Sequence, residues 1–310
     1  MHKEADLSRT AVLLLAFGGP RSGDEVGPFL EKLLGRKPSP QHIEGLKKRY
    51  QAIGGGSPLP EMTLRQARAL EGELRKKGKP VPVFCGMRYS RPLIAEALEE
   101  ITKEGISHLI LISFSPYRSA FSLEGYYAQV KQITAQGEGK MNLIKVDDWH
   151  AHPGLCASWA AKIDKAIGDM GERKNEIPVI FTAHSLPKEA ASVSPYEGQL
   201  EQTIEGIIHL TGPLRWHLAF QSRAGNRENW LGPEPETILN DLIKEGFQRA
   251  LICPIGFIAD HLETLYDLDI ALKAWADKRD IEIIRIPCLN DAPQLIEVLV
   301  QLVKGALTKQ

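Results

Sequence analysis

Short apolar runs recur along the chain at 11–17, 81–86, 108–114, 143–146, 178–183, 216–220, 249–254 and 282–287. Between them lie segments whose apolar residues return every three or four positions, near 24–34, 40–52, 63–77, 92–104, 123–135, 154–169, 197–209, 235–246, 261–278 and 292–306. The runs at 11–17 and 178–183 are continuous rather than alternating, which predicts strands buried on both faces of a parallel sheet. The longer periodic stretches predict helices. Strand–helix alternation throughout predicts an α/β fold of right-handed βαβ units, with a parallel sheet in each half. The expected division is an N-terminal lobe at 9–150 and a C-terminal lobe at 151–310, the last helix being able to cross back to the first lobe. A cleft between two such lobes is the natural ligand site.

Two strand ends stand out. Val179-Ile180-Phe181-Thr182-Ala183 runs straight into His184, and Ser185 and Pro187 then turn the chain. The carboxyl end of a strand is where an open α/β sheet places its chemistry, so His184 sits at a sheet's lip with an imidazole that exchanges protons near neutral pH. The run ending at Cys253 leads through a short loop into Asp260-His261-Leu262-Glu263-Thr264-Leu265-Tyr266-Asp267. On a helix, Asp260, Glu263 and Asp267 share one acidic face. For Asp260, dipole stabilisation of a helix start accounts for the acid about as well as chemistry does. Glu263 and Asp267 lie beyond the cap, where such a ridge passes protons or binds divalent cations. Arg88 and Tyr89 follow a third strand end, whereas His108 stands at a strand start and reads as structural.

Other segments leave alternatives open. Val26, Phe29, Leu30, Leu33 and Leu34 line one face of a helix that either packs normally or forms a lid over a large ligand. Gly54-Gly55-Gly56-Ser57 reads equally as a flexible connector or as a backbone cradle for an anion. It lacks the Gly-Lys-Ser/Thr ending of a nucleotide loop.

Composition narrows the classes. The chain has 310 residues, 43% hydrophobic and 25% charged, with a formal net charge of −1 and no basic block, so nucleic acid is not an expected partner. Cys85, Cys156, Cys253 and Cys288 form no CxxC pair and read as reduced core thiols. The polar start has no signal-peptide core, and no run approaches the ~18 apolar residues of a membrane span. A cytoplasmic protein is expected, with peripheral membrane contact left open. No Gly-x-Ser-x-Gly, HExxH or GxGxxG motif supports a hydrolase, a zinc protease or a dinucleotide enzyme.

Seven segments occur in order: Leu15-Ala16-Phe17-Gly18-Gly19-Pro20, Ile53-Gly54-Gly55-Gly56-Ser57-Pro58-Leu59, Met87-Arg88-Tyr89, Ala183-His184-Ser185-Leu186-Pro187, Phe220-Gln221-Ser222, Trp230-Leu231-Gly232-Pro233 and Gly256 to Tyr266. Together they resemble the signatures of the ferrochelatase family over nearly the whole chain. The resemblance implies two Rossmann-like lobes, as in class II chelatases, and insertion of ferrous iron into protoporphyrin or coproporphyrin in haem synthesis. It implies that His184 and Glu263 are the catalytic and metal-binding pair, facing each other across the macrocycle. Phe17, Ser57, Arg88, Tyr89, Trp230 and His261 would then contact the porphyrin, and Asp260 and Asp267 would relay protons or metal. Iron would be a substrate, not a cofactor, and neighbouring haem-pathway enzymes would be transient partners. Alternatives are a cobalt or nickel chelatase for another tetrapyrrole, and a non-catalytic porphyrin or haem carrier.

The chain also departs from the family. Some bacterial members carry a metal-ligating tyrosine where this chain has Phe17, which offers no oxygen. Ala271 stands where members often place a glutamate of an outer metal site. No cysteine follows Cys288, so a C-terminal iron–sulfur cluster is not expected.

Overall fold

The computed structural model describes residues 7–136, 141–171, 173–174, 176–223 and 229–308; the first residues of the polar start lie outside them. The chain divides into two compact units, Met1–Trp149 with Asn290–Gln310, and His150–Leu289.

The first unit begins with strand β1 (Thr10–Ala16), followed by helices α1 (Val26–Leu34), α2 (Pro40–Ala52) and α3 (Leu59–Lys76). Then come β2 (Val83–Met87), α4 (Ile94–Lys103), β3 (His108–Ser113), α5 (Leu123–Thr134) and β4 (Asn142–Lys145). The strands pair in parallel in the order β2-β1-β3-β4. Every residue of β1 is buried, and successive side chains serve opposite faces. Val12 and Leu14 join the core with Leu70 and Leu74, whereas Ala11, Leu13 and Leu15 join Leu98, Ile101 and Tyr127. Each leucine so buried stabilises the fold by roughly 1.5–3 kcal/mol.

The second unit contains α6 (Pro153–Asp169), β5 (Val179–His184), α7 (Lys188–Ser192), α8 (Tyr196–Thr211), β6 (Trp216–Gln221), α9 (Pro235–Lys244) and β7 (Arg249–Cys253). After α10 (Leu262–Leu265), a π-helical stretch Asp267–Leu272, α11 (Lys273–Asp277) and β8 (Glu282–Arg285), helix α12 (Pro293–Leu307) returns to the first unit. Its Leu299, Val300 and Val303 share a core with Val12 and Leu70. The second sheet is also parallel, in the order β6-β5-β7-β8, so each unit has the same Rossmann-like topology.

Strands stand where the apolar runs place them, while the helices show three differences. Helix α3 starts at Leu59, four residues before the expected 63, because Pro60 suits the first turn and Ser57 Oγ accepts the Leu59 amide at 3.3 Å. Helix α7 was not legible in the pattern. The expected continuous helix 261–278 is instead broken by a wide turn in which the Ala271 amide reaches back five residues to the Tyr266 carbonyl at 2.8 Å. Such bulges are frequent at functional sites.

Helix α1 buries Val26, Phe29 and Leu30, while Leu33 and Leu34 stay exposed. Val26, Phe29 and Leu30 thus form its packed face. His108 pairs with Asn142 across β3 and β4, away from the strands' carboxyl ends, as expected of a structural residue. All four cysteines are free and buried. Among the described residues, no helix is long and apolar enough to cross a membrane.

Candidate active site

In both sheets the chain leaves the first strand for one neighbour and returns on its other side. Ligands of open α/β sheets bind at such a switch point, beyond the carboxyl ends of the strands. In the second unit the two loops there follow β5, which ends at His184, and β7, which leads through Gly256 to Asp260. The loops approach closely: the Gly256 amide donates to the Thr182 carbonyl at 3.0 Å. A Cβ on Gly256 would lie 2.6 Å from both Cα and Cβ of Ala183. These atoms are rigid backbone or one bond from it, so no flexible side chain can yield. We expect Gly256→Ala to cost about 1–3 kcal/mol by overpacking and to reduce turnover by displacing His184, checked by denaturant unfolding beside an activity assay. Unchanged stability would refute the close approach.

His184 Nδ1 donates to Glu263 Oε2 at 2.8 Å, so the two side chains meet directly within one unit and do not face each other across a macrocycle; the loops after β5 and β7 lie side by side and bring them together. Both side chains are about a third exposed. Burial lowers the imidazole pKa, but the charge and hydrogen bond of Glu263, helped by the charge of Asp267, outweigh it and hold His184 above an ordinary histidine. The backbone of this histidine is tied down by Tyr196, whose hydroxyl donates to the His184 carbonyl at 3.1 Å.

Around the pair the expected residues take distinct places. His261 Nε2 lies 3.9 Å from Glu263 Oε2, and its ring packs on Phe257 with centroids 4.8 Å apart. Asp267 accepts from the Ser222 hydroxyl at 2.6 Å. Trp230 bridges to Pro187, just after the His184 loop. Asp260 does not cap α10. Its Oδ1 accepts from Thr264 Oγ1 at 3.1 Å and from Arg285 Nη1 at 2.7 Å. Asp260 is thus held by a guanidinium in a largely buried pair, a contact that neither Glu263 nor Asp267 makes with Arg285.

The first unit gathers Phe17, Arg88 and Tyr89. The amides of Arg88 and Tyr89 donate to the carbonyls of Ala16 and Phe17 at 3.0 and 3.1 Å, extending the β1–β2 pairing past the strand ends. That register sets Phe17 against Tyr89 with ring centroids 4.7 Å apart and planes tilted by 59°, and Phe29 of α1 lies 6.3 Å from each. The Arg88 guanidinium lies over the Tyr89 ring at 5.3 Å. Ser57 is buried against Gly19, and its hydroxyl is engaged at the start of α3.

Sequence reasoning missed Gln221, Ser222 and Arg285 as individual residues. Gln221 Nε2 donates to the Glu263 carbonyl at 2.6 Å, and Ser222 reaches Asp267 from a left-handed backbone at φ 60°. Gln221 and Ser222 belong to the Phe220-Gln221-Ser222 segment, where a polar pair closing an apolar strand is the sequence signal. Among the described residues, no group of three or more His, Cys, Asp or Glu is arranged to hold a metal ion.

Comparison with known proteins adds to this geometry. The family model for ferrochelatase matches residues 9–307. The ferrochelatase of Herpetosiphon aurantiacus is 33% identical over 302 residues, covering 96% of this chain and 99% of that protein. The coproporphyrin III ferrochelatase of Oceanobacillus iheyensis is 33% identical over 301 residues, covering 95% and 96%. Among solved structures, SirB from Bacillus subtilis with Fe3+ aligns with a TM-score of 0.59 at 10% identity, covering 96% of each chain; that likeness concerns the fold alone.

Proposed function

The chain belongs to the ferrochelatase family, and on that premise we propose that it inserts ferrous iron into a porphyrin, the late step of haem synthesis. The observation that carries the reading is the His184–Glu263 pair at the switch point of the second sheet. Metallation removes two protons from pyrrole nitrogens and strips water from a hydrated divalent ion, so charge balances as Fe2+ replaces two H+. His184 donates through Nδ1 to Glu263, which leaves the Nε2 lone pair to take a pyrrole proton. Imidazole and carboxylate are exchangeable ligands suited to Fe2+. Asp267, held by Ser222, continues the acidic path one turn further. Iron is substrate in this reading, and no resident cofactor takes part.

In the first unit we assign Phe17 and Tyr89 to a face of the macrocycle and Arg88 to one of its carboxylates, a pairing guanidinium favours. Ser57, Trp230 and His261 are further porphyrin contacts. The four free thiols fit a cytoplasmic setting. Exposed Phe121, Leu33 and Leu34 offer apolar surface for a membrane or for a neighbouring enzyme handing over a poorly soluble tetrapyrrole.

Anaerobic incubation of the purified protein with Fe2+ and either protoporphyrin IX or coproporphyrin III tests the reading. Catalytic conversion of the free-base absorption spectrum to that of the haem is expected. A spectrum showing only stoichiometric porphyrin binding would make the protein a carrier. Turnover with Co2+ or Ni2+ but not Fe2+ would make it a different chelatase.

A further inference from the structure

Arg285 ends β8, a strand that carries none of the residues assigned to the reaction. Its side chain is only 11% exposed and makes a three-point contact. Nη1 donates to Asp260 Oδ1 at 2.7 Å, while Nε and Nη2 grip the two oxygens of Asp269 at 2.5 and 2.7 Å. Asp260 stands just before α10, and Asp269 lies inside the π-helical stretch. Glu263 and Asp267 lie between these two anchor points in the chain. We propose that Arg285 is the positioning residue for Glu263 and Asp267: by clamping Asp260 to Asp269 it holds the wide turn in register and so fixes both carboxylates.

The physical need for such a clamp follows from the turn itself. A π-helical stretch is rare and competes with the regular α-helix. Relaxing it by one residue would rotate everything on one side by about 100° relative to the other, since an α-helix has 3.6 residues per turn. Glu263 would then leave His184, and Asp267 would leave Ser222. Leu268 and Leu272 anchor the turn's apolar side in the core with Ile252 and Ile283. Hydrophobic contacts are non-directional and tolerate sliding, whereas a planar fork on a carboxylate does not. Thr264 extends the clamp: its hydroxyl bonds Asp260 and accepts the His261 amide at 3.0 Å. A lysine at 285 could reach one carboxylate but could not present the fork.

This inference rests on the ferrochelatase reading for its kinetic arm only. Arg285→Met strands the largely buried Asp260 without its cation and is at risk of not folding. Asp269→Ala is therefore the main variant, because Asp269 is 36% exposed and Asp260 keeps Arg285 after the change. Hydrogen exchange over 262–272 and steady-state porphyrin metallation are measured on Asp269→Ala, Arg285→Lys and the unsubstituted protein. Asp269→Ala is expected to speed exchange of these amides at least tenfold with β5 and β7 unaffected. It should also lower kcat about fivefold or more with KM for porphyrin within twofold. Arg285→Lys should fall between it and the unsubstituted protein. Unchanged exchange, or unchanged kcat despite faster exchange, overturns the proposal, as does a rise in KM alone. Should the unsubstituted protein fail to metallate porphyrin, the ferrochelatase reading falls, and the exchange arm alone decides the clamp.

Discussion

Replacing His184 with alanine is expected to abolish metallation while the protein stays folded and continues to bind porphyrin. His184 is the last residue of β5, and its side chain lies at the sheet's lip, not in the packed core. Alanine is compatible with that backbone, and the hydrogen bonds holding the segment come from the main chain. The Ser185 amide donates to the Gln221 carbonyl at 2.8 Å, and Tyr196 holds the His184 carbonyl. The stability lost is that of one hydrogen bond to a charged partner, about 1.5–3 kcal/mol at most. The loss in rate is larger, because a positioned base contributes roughly 10²- to 10⁴-fold. Glu263 remains but then lacks the imidazole that accepts pyrrole protons. Stopped-flow or steady-state absorption with porphyrin and Fe2+ gives the rate, and quenching of tryptophan fluorescence gives porphyrin affinity. Turnover within a few-fold of the unsubstituted protein would remove His184 from the chemistry.

The parts of this site that were legible in the sequence share a physical origin. Strand ends are readable because buried parallel strands demand unbroken apolar runs, and the first polar residue after the run marks the lip of the sheet. His184, Arg88 and the Gly256–Asp260 loop were all located that way. Helical spacing alone puts Asp260, Glu263 and Asp267 on one face, but Asp260 precedes α10 and is held by Arg285, and Asp267 begins the π-helical stretch. What stayed hidden depends on contacts between residues distant in sequence. Ser222 and Asp267 are 45 positions apart, and Gln221 and Glu263 are 42. Arg285 looked like one more charge on a strand, because nothing in its neighbourhood says that its fork meets Asp260 and Asp269. Asp260 was ambiguous for the same reason: an acid at a helix start has a local explanation that hides a distant partner. The π-helical turn is hidden because Leu262, Leu265, Leu268, Leu272 and Ala276 still recur every three or four positions, so 261–278 reads as one helix.

Glu263→Gln is expected to lower kcat roughly 10²-fold while leaving porphyrin affinity nearly unchanged, the loss again being that of a group used in proton transfer and metal exchange. Glutamine keeps the size of the side chain, and its carbonyl oxygen can still accept from His184 Nδ1, so the geometry of the pair persists. The charge that attracts Fe2+ and that supports a protonated imidazole is removed. A loss confined to turnover marks an interaction needed in the transition state; weaker porphyrin binding with turnover intact would make the acidic ridge a binding wall instead. Asp267→Asn should act in the same direction but less, since its contribution to His184 is the weaker of the two acids. The titration of His184 supplies an independent check. Burial lowers its pKa and the carboxylates raise it above the ordinary value of 6.5, the latter prevailing. Without the Glu263 charge, burial faces less opposition, so the His184 midpoint followed by the imidazole Cε1 proton resonance should move to lower pH. The sign for stability follows by linkage. A folded-state pKa above the unfolded one stabilises the protein fully below the unfolded value, and that contribution fades as pH rises through the raised folded value. In the unsubstituted protein, stability should therefore decline from about pH 6.5 upward on account of this pair. In Glu263→Gln that decline should be flattened or lost. A midpoint for His184 that stays put in the variant would show that Glu263 does not set the protonation of the base, and the assigned roles of both residues would fall together.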